Sequence, residues 1–320
     1  MADNMLTIGM DLGGTNIKAG LVSVEGKILE EKEVATEVRD GVDHVLNRMA
    51  GVIRDLAKTA NRARVKGAGI GLAGQINIKR GIYHSGPNFP GWSNVPVALE
   101  LEKRGGVPVV IDNDANLAAL GEYAFGAGRG ITEMLLLTLG TGVGGGLILN
   151  GQLYHGASDL AGEVGHASID PDGPVCACGR KGCLEAFVGT KGILLRLKQK
   201  MDGGAESVLR KKVFESIVPK DIAMAAEQGD RIAIEVLHET GDILGFGLAN
   251  FADILNIERI VIGGGVANAG DLILQPAREA FRREALKVVA DACTIVKAEL
   301  GNTAGLVGAA RSAMIAFSTA

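Results

Sequence analysis

Aromatic residues are scarce in this chain of 320 residues: Phe, Trp and Tyr together make up 4%. Single-stranded nucleic acid is held largely by stacking its bases on such rings, so that class of partner is excluded. Positive charge is lacking too. The formal net charge is −4, and the one dense basic stretch, Arg210-Lys211-Lys212, is short enough to be a solvated helix face. No electrostatic footprint for nucleic acid is present. No apolar run approaches the roughly 18 residues of a membrane span. The longest candidate, Met134 to Asn150, is broken by Gly and Thr. Met1 to Asn4 carry no basic segment followed by an apolar run, so no secretory signal is read there. These absences predict a soluble, cytoplasmic protein without membrane or nucleic-acid partners.

Cysteine is also sparse, with four in the chain, but three of them crowd together as Cys176, Cys178 and Cys183. In a cytosolic chain such a cluster points to a metal rather than to disulfides. His166 is separated from Cys176 by nine residues. One His and three Cys make a four-ligand set suited to tetrahedral Zn²⁺, with no position left for substrate, so the expected role is structural. Gly179 and Gly182 stand where sharp turns around a metal need them. Cys293 has no partner in sequence and reads as a small buried apolar residue.

What the chain has in quantity is glycine, 47 residues without a collagen-like period, and apolar residues, 47% of the total. The length suggests two domains. Leu6–Leu12 alternates and reads as a strand, Gly13-Gly14-Thr15 as a turn, and Ile17–Val24 and Lys27–Glu33 as two further strands. Val42, Val45, Leu46, Met49, Val52, Ile53 and Leu56 fall on one helical face, begun by Asp40 or Gly41. Val65–Gly71 and Pro108–Ile111 read as strands, and Asp114–Phe125 as a helix. From Met134 the opening recurs: strand Leu135–Leu139, turn Gly140-Thr141-Gly142, strand Gly146–Leu149, turn Asn150-Gly151, strand Leu153–Tyr154. Two α/β halves, each with a Gly/Thr hairpin, predict a bilobed α/β fold with a cleft. Ile257–Ile262 is a late strand entering Gly263-Gly264-Gly265, and Asn302–Phe317 a helix that packs back on the first lobe. The expected domains are a small one over residues 1–115, completed by the helix at about 302–320, and a large one over 116–301 with the zinc loop.

Gly13 and Gly14 let the backbone approach an anion, and Thr15 adds a hydroxyl donor. Asp11 at the strand end is placed to hold Mg²⁺ through water, and Lys18 to offset phosphate charge. Leu139 to Gly146 holds more glycine than a hairpin needs. Neither loop fits Gly-x4-Gly-Lys-Ser/Thr, which excludes a P-loop. Leu147–Leu149 reads as strand where a dinucleotide fingerprint demands a helix, which excludes that fold. Asp114 follows a short strand and opens a helix; it is a general base for a substrate hydroxyl or only a helix N-cap.

The ordered set of Asp11-x-Gly-Gly-Thr15, Pro87-Asn-x-Pro-Gly-Trp92, Asn113-Asp-Ala-Asn116, Gly140 to Gly146, Gly162-Glu-x-Gly-His166, Cys176 to Glu185 and Gly263-Gly-Gly-Val266 resembles the ROK family of the actin-like ATPase superfamily over essentially the whole chain. That resemblance implies a two-lobed actin-like (ribonuclease H-like) fold and an ATP- and Mg²⁺-dependent sugar kinase. It implies Asp114 as catalytic base and sugar contacts from Asn88, Asn113, Asp114, Glu163, His166 and Glu185. It implies nucleotide contacts from Asp11, Gly13, Gly14, Thr15, Lys18, Gly140, Thr141, Gly142, Gly264 and Gly265. It points to the same Zn²⁺ ligands, His166, Cys176, Cys178 and Cys183, and to a homo-oligomer, dimer or tetramer. The segment Ala73 to Trp92 resembles members acting on glucose; fructose, mannose, allose or an N-acetylhexosamine are the alternatives. A sugar-responsive repressor of the same family needs an N-terminal helix-turn-helix, for which the phosphate motif at Asp11 leaves no room.

Overall fold

The computed structural model describes residues 5–60 and 65–318; the reading made on Met1–Asn4 lies outside them. The chain opens with β1 (Leu6–Leu12), β2 (Asn16–Ser23), β3 (Ile28–Ala35), α1 (Val42–Thr59) and β4 (Val65–Leu72). There follow β5 (Gln75–Asn77), β6 (Ile82–Ser85), α2 (Val97–Gly105), β7 (Val109–Asn113) and α3 (Asp114–Phe125). Next come β8 (Met134–Leu139), β9 (Val143–Leu149), β10 (Gln152–Leu153), α4 (Leu184–Val188), α5 (Thr190–Asp202) and α6 (Pro219–Glu227). The rest is α7 (Arg231–Leu255), β11 (Arg259–Gly263), α8 (Asp271–Glu284), α9 (Lys287–Ala292), β12 (Thr294–Lys297) and α10 (Ala304–Phe317).

The repeated opening read from the sequence is a repeated topology. One sheet has the order β3-β2-β1-β4-β7 and the other β10-β9-β8-β11-β12. In both, three consecutive strands run in reverse order and two later strands add in parallel, β1 to β4 to β7 and β8 to β11 to β12. The late strands enter by helical crossovers, as parallel pairing requires.

Contacts divide the chain into two compact units. The first holds the residues up to Gly130, Gly146–Ala161 and those from Glu299 on; the second holds Ile131–Gly145 and Gly162–Ala298. The division between 115 and 116 expected from sequence is therefore displaced. The reason is α3, which packs on α10 with almost no side chain between them. A Cβ on Gly308 would lie 1.7 Å from the Leu117 carbonyl oxygen, and one on Gly121 2.3 Å from that of Ala304. On its other side α10 presses on the sheet, where Gly9 and Gly69 leave no room for a Cβ against the carbonyls of Leu306 and Ala309. The buried Glu122 carboxylate closes this corner, accepting the N–H groups of Ala127 (2.8 Å), Glu299 (3.1 Å) and Leu300 (2.7 Å).

The remaining core of the first unit is the face covered by α1. Val45, Leu46, Met49, Val52, Ile53 and Leu56 are buried there, as their spacing predicts, and Gly41 with φ 92° precedes the helix. In the second unit α7 is the central helix, with Gly241 and Gly245 against the backbone of α8. Cys293 is buried, and burial pushes its thiol up to about 11. Among the described residues no helix is long and apolar enough to cross a membrane.

Candidate active site and metal centre

In the first unit the Asp11 side chain leaves the end of β1, and Lys18 is its partner across the antiparallel pair with β2. The turn between them is braced from behind. Thr36 donates its hydroxyl to the Gly13 carbonyl (2.7 Å) and its N–H to the Thr15 carbonyl (2.7 Å). Gly13 N–H closes the turn on Asn16 O (3.0 Å), leaving Gly14 and Thr15 exposed. A Cβ on Gly14 would lie 3.6 Å from that of Asn88, so the exposed Asn88 stands beside the turn. Its loop is anchored by a buried cluster of Tyr83, Phe89 and Trp92, with ring centroids 5.1 to 5.7 Å apart.

β7 ends at Asn113, and α3 starts at Asp114. Asn113, not Asp114, is the N-cap: its Oδ1 accepts the N–H groups of Ala115 (2.9 Å) and Asn116 (3.3 Å). The capping role that position alone offered to Asp114 is thus filled by its neighbour. Asp114 is the first residue of the helix, where the N-terminal dipole favours a carboxylate. Asn113, expected as a sugar contact, has its Nδ2 within 3.4 Å of the Gly74 carbonyl. Asp11 and Asp114 feel one another. Burial first, and then the Asp114 charge, push the Asp11 carboxyl up to about 6 against the opposing pull of Lys18. Burial and Asp114 likewise push the Tyr83 hydroxyl up to about 12.

A pair not read from the sequence lies directly behind. The buried Asp112 carboxylate accepts from Asn116 Nδ2 (3.0 Å) and pairs with His155 Nε2 (2.7 Å). The bond to Asp112 raises the His155 pKa, burial opposes it, and Asp112 and Asp159 add charge of the favourable sign. Asp112 is two residues from Asp114, but 43 residues separate it from His155, and no local pattern signals the pairing.

In the second unit the ligand atoms of His166, Cys176, Cys178 and Cys183 all lie within 4.8 Å of one another. Cys176 Sγ is 3.7 Å from His166 Nδ1, and Cys178 Sγ is 3.6 Å from Cys183 Sγ. A tetrahedron with metal–sulfur bonds of ~2.3 Å has edges of ~3.8 Å, so donor set and spacing fit zinc. Gly179 and Gly182 take φ of 86° and 69°, and a Cβ on Gly182 would lie 1.5 Å from the Asp170 carbonyl oxygen. The Arg180 N–H and guanidinium draw the exposed Cys178 thiol down to about 6, while burial raises that of Cys176. His166 turns its other nitrogen, Nε2, toward Glu163 Oε2 at 3.9 Å.

Glu185 joins this centre to the glycine turn after β8. Its Oε1 accepts from Cys176 Sγ (3.3 Å) and its Oε2 from Val143 N–H (3.0 Å). Thr190, which the sequence reading passed over, donates its N–H (3.0 Å) and hydroxyl (2.8 Å) to the Gly140 carbonyl. Gly264, with φ 85°, packs on the backbone of Leu139, which brings Gly264-Gly265 next to Gly140-Thr141-Gly142.

Comparison with known proteins follows the same lines. The model of the ROK family matches residues 7–314. The chain is 39% identical to a glucokinase of Halalkalibacterium halodurans, covering 94% of this chain and 92% of that one. It is 38% identical to a glucokinase of Thermotoga maritima, covering 95% of each. A ROK family glucokinase from Streptomyces griseus, solved with glucose and AMPPNP, superposes with a TM-score of 0.80 at 38% identity, over 96% of this chain and 98% of that one.

Proposed function

The chain belongs to the ROK family and has its actin-like ATPase fold, and on that premise we propose that it transfers the γ-phosphoryl group of ATP to glucose, giving glucose 6-phosphate and ADP. The observation that carries the reading is the pair of carboxylates Asp11 and Asp114, held close enough to perturb one another beside a braced glycine turn. A phosphoryl-transfer site needs this division of labour: one carboxylate for the hydrated Mg²⁺ of the nucleotide and one for the attacking hydroxyl. Asp11 takes the first role and Asp114 the second. As the sugar hydroxyl oxygen bonds to the γ-phosphorus, its proton passes to Asp114, the bond to the bridging oxygen breaks, and ADP leaves with that electron pair.

The sugar is held through its hydroxyls by Asn88, Asn113, Asp114, Glu163, His166 and Glu185. Asn113 has only its amide to offer, since its oxygen caps α3. The nucleotide is held by Gly13, Gly14, Thr15 and Lys18 and by Gly140, Thr141, Gly142, Gly264 and Gly265. His166, Cys176, Cys178 and Cys183 hold Zn²⁺, which supplies order rather than chemistry. The closeness of Glu163, His166 and Glu185 to that cluster supports one metal fixing three sugar contacts together. The proposal extends to a cytoplasmic homo-oligomer, dimer or tetramer, to be checked by light scattering.

The test is turnover by the zinc-loaded protein with ATP and Mg²⁺ on a hexose panel of glucose, fructose, mannose, allose and N-acetylated hexosamines. Glucose 6-phosphate should dominate. A zinc-loaded protein inert toward every hexose would sink the proposal, and preference for another hexose would correct the substrate alone.

A further inference from the structure

The segment from Cys183 to Thr190 has the Cys/His cluster at one end and the Gly140–Val143 turn at the other. On the cluster side, Leu184 N–H donates to the Ala167 carbonyl (2.9 Å), beside His166, and Cys183 Sγ lies 3.5 Å from the His166 carbonyl. On the turn side, Glu185 takes the Val143 N–H, and Thr190 holds the Gly140 carbonyl with two donors. The fit is close. A Cβ on Gly142 would lie 2.5 Å from Glu185 Oε2, and one on Gly189 3.3 Å from the Thr141 carbonyl oxygen. The segment is itself tied down. Arg196 Nη2 bonds the Phe187 carbonyl (2.9 Å) and the Thr240 hydroxyl (2.6 Å), pinning the end of α4 to α7.

We infer that residues 183–190 are a strut through which the metal cluster sets the glycine turn, with Glu185 and Thr190 as positioning residues for the nucleotide. The inference rests on the proposed assignment of Gly140–Gly142 to nucleotide phosphates. A glycine-rich turn with little closure of its own, Gly140 N–H to Gly142 O at 2.9 Å, presents its N–H groups to an anion only if something outside fixes it. An unfixed turn must be ordered by the ligand, and affinity falls by that ordering cost. Zinc occupancy is therefore felt in nucleotide affinity even when no sugar is bound.

The experiment is calorimetric titration of Mg–ADP, without hexose, into the zinc-loaded protein, the chelator-stripped protein, and loaded Thr190→Val and Thr190→Ser. Valine keeps the shape and the backbone N–H but removes the hydroxyl; serine keeps the hydroxyl. Stripping should weaken ADP binding by at least about fivefold, the size of one neutral hydrogen bond. Thr190→Val should weaken it by about fivefold with zinc content unchanged, and Thr190→Ser should restore it. In turnover, Thr190→Val should raise KM for ATP by the same factor and leave KM for glucose alone, a split that general destabilisation would not produce. Equal ADP affinity with and without zinc, or wild-type affinity in Thr190→Val, overturns the inference. Should stripping unfold the protein, as circular dichroism would show, the loaded valine and serine pair decides. Loaded wild-type protein that binds no ADP refutes the phosphate assignment and the strut with it.

Discussion

Replacing Asp114 by Asn separates chemistry from architecture at the proposed base. The substitution keeps size and removes the proton acceptor. Because Asn113 caps α3, the helix end does not depend on the Asp114 charge, and the amide oxygen of an Asn can still accept the Ala115 N–H that Asp114 Oδ1 takes at 3.0 Å. Stability at pH 7.5 should therefore be equal to wild type or slightly higher, since a like charge near Asp11 is gone. Turnover should fall at least about 100-fold, the lower end of what a general base contributes, or about 2.7 kcal/mol on the barrier. Asn113→Ala is the control. It removes the cap and should cost about 1 kcal/mol, a melting temperature lower by about 2 °C. Steady-state kinetics and thermal unfolding of both variants make the comparison. An Asp114→Asn protein with near-normal turnover would remove the base from the mechanism. One with the melting temperature of Asn113→Ala would show that the cap had been assigned to the wrong residue.

Three further outcomes are expected. Elemental analysis should find about one zinc per chain, as a single four-ligand site requires, and Cys178→Ala should lower zinc content and weaken glucose binding; a zinc-free, fully active protein would contradict both. Asp11 has a folded pKa raised to about 6 from 3.8, so the stability linked to its proton is full below pH ~4 and lost as pH rises through ~6. Asp11→Asn should accordingly melt higher than wild type at pH 7.5, by up to about 3 kcal/mol of stability, while losing Mg–nucleotide binding; a lower melting temperature would count against a strained carboxylate. His155 has its pKa raised by Asp112, so the stability of that pair is full below pH ~6.5 and lost as pH rises through the raised value. The melting-temperature gap between wild type and His155→Gln should narrow from pH 6 to pH 9, and a gap that widens would refute the charged pair.

What the sequence disclosed were features written within a few consecutive residues. The Gly13-Gly14-Thr15 turn, the Gly140-Thr141-Gly142 turn, the Cys/His cluster and the α1 stripe were legible because spacing alone constrains them. The repeated opening was legible as a repeated succession of strands, but the order of the strands within each sheet, and β12 at Thr294–Lys297, emerged only from the structure. The helices of the second unit between Leu184 and Ala292 were not. α7 is buried on several faces, with Gly241 and Gly245 packed against α8 and Gly247 against Leu184 of α4, so it lacks the single apolar stripe that marks a surface helix. The Asp112–His155 pair and the Thr190 clamp join residues 43 and 50 apart, and only tertiary structure sets such pairings. The cap was ambiguous for the opposite reason: Asn113 and Asp114 are adjacent and cap about equally well, and only the observed backbone tells them apart.

The seating of α10 has a consequence for biosynthesis. This helix follows every other element in the sequence, yet it covers β1 and β4, among the first to be made, and it enters so closely that glycine is required at Gly9, Gly69, Gly121 and Gly308. A chain emerging from the ribosome at about 5–20 residues per second must hold that sheet face uncovered until the last helix arrives, a wait of roughly 10 to 60 seconds. The second unit, whose residues lie inside those bounds, can finish first. Translation from one end thus completes the middle of the molecule before its beginning. During that interval the early strands are the part of the nascent protein most exposed to aggregation or to capture by a chaperone.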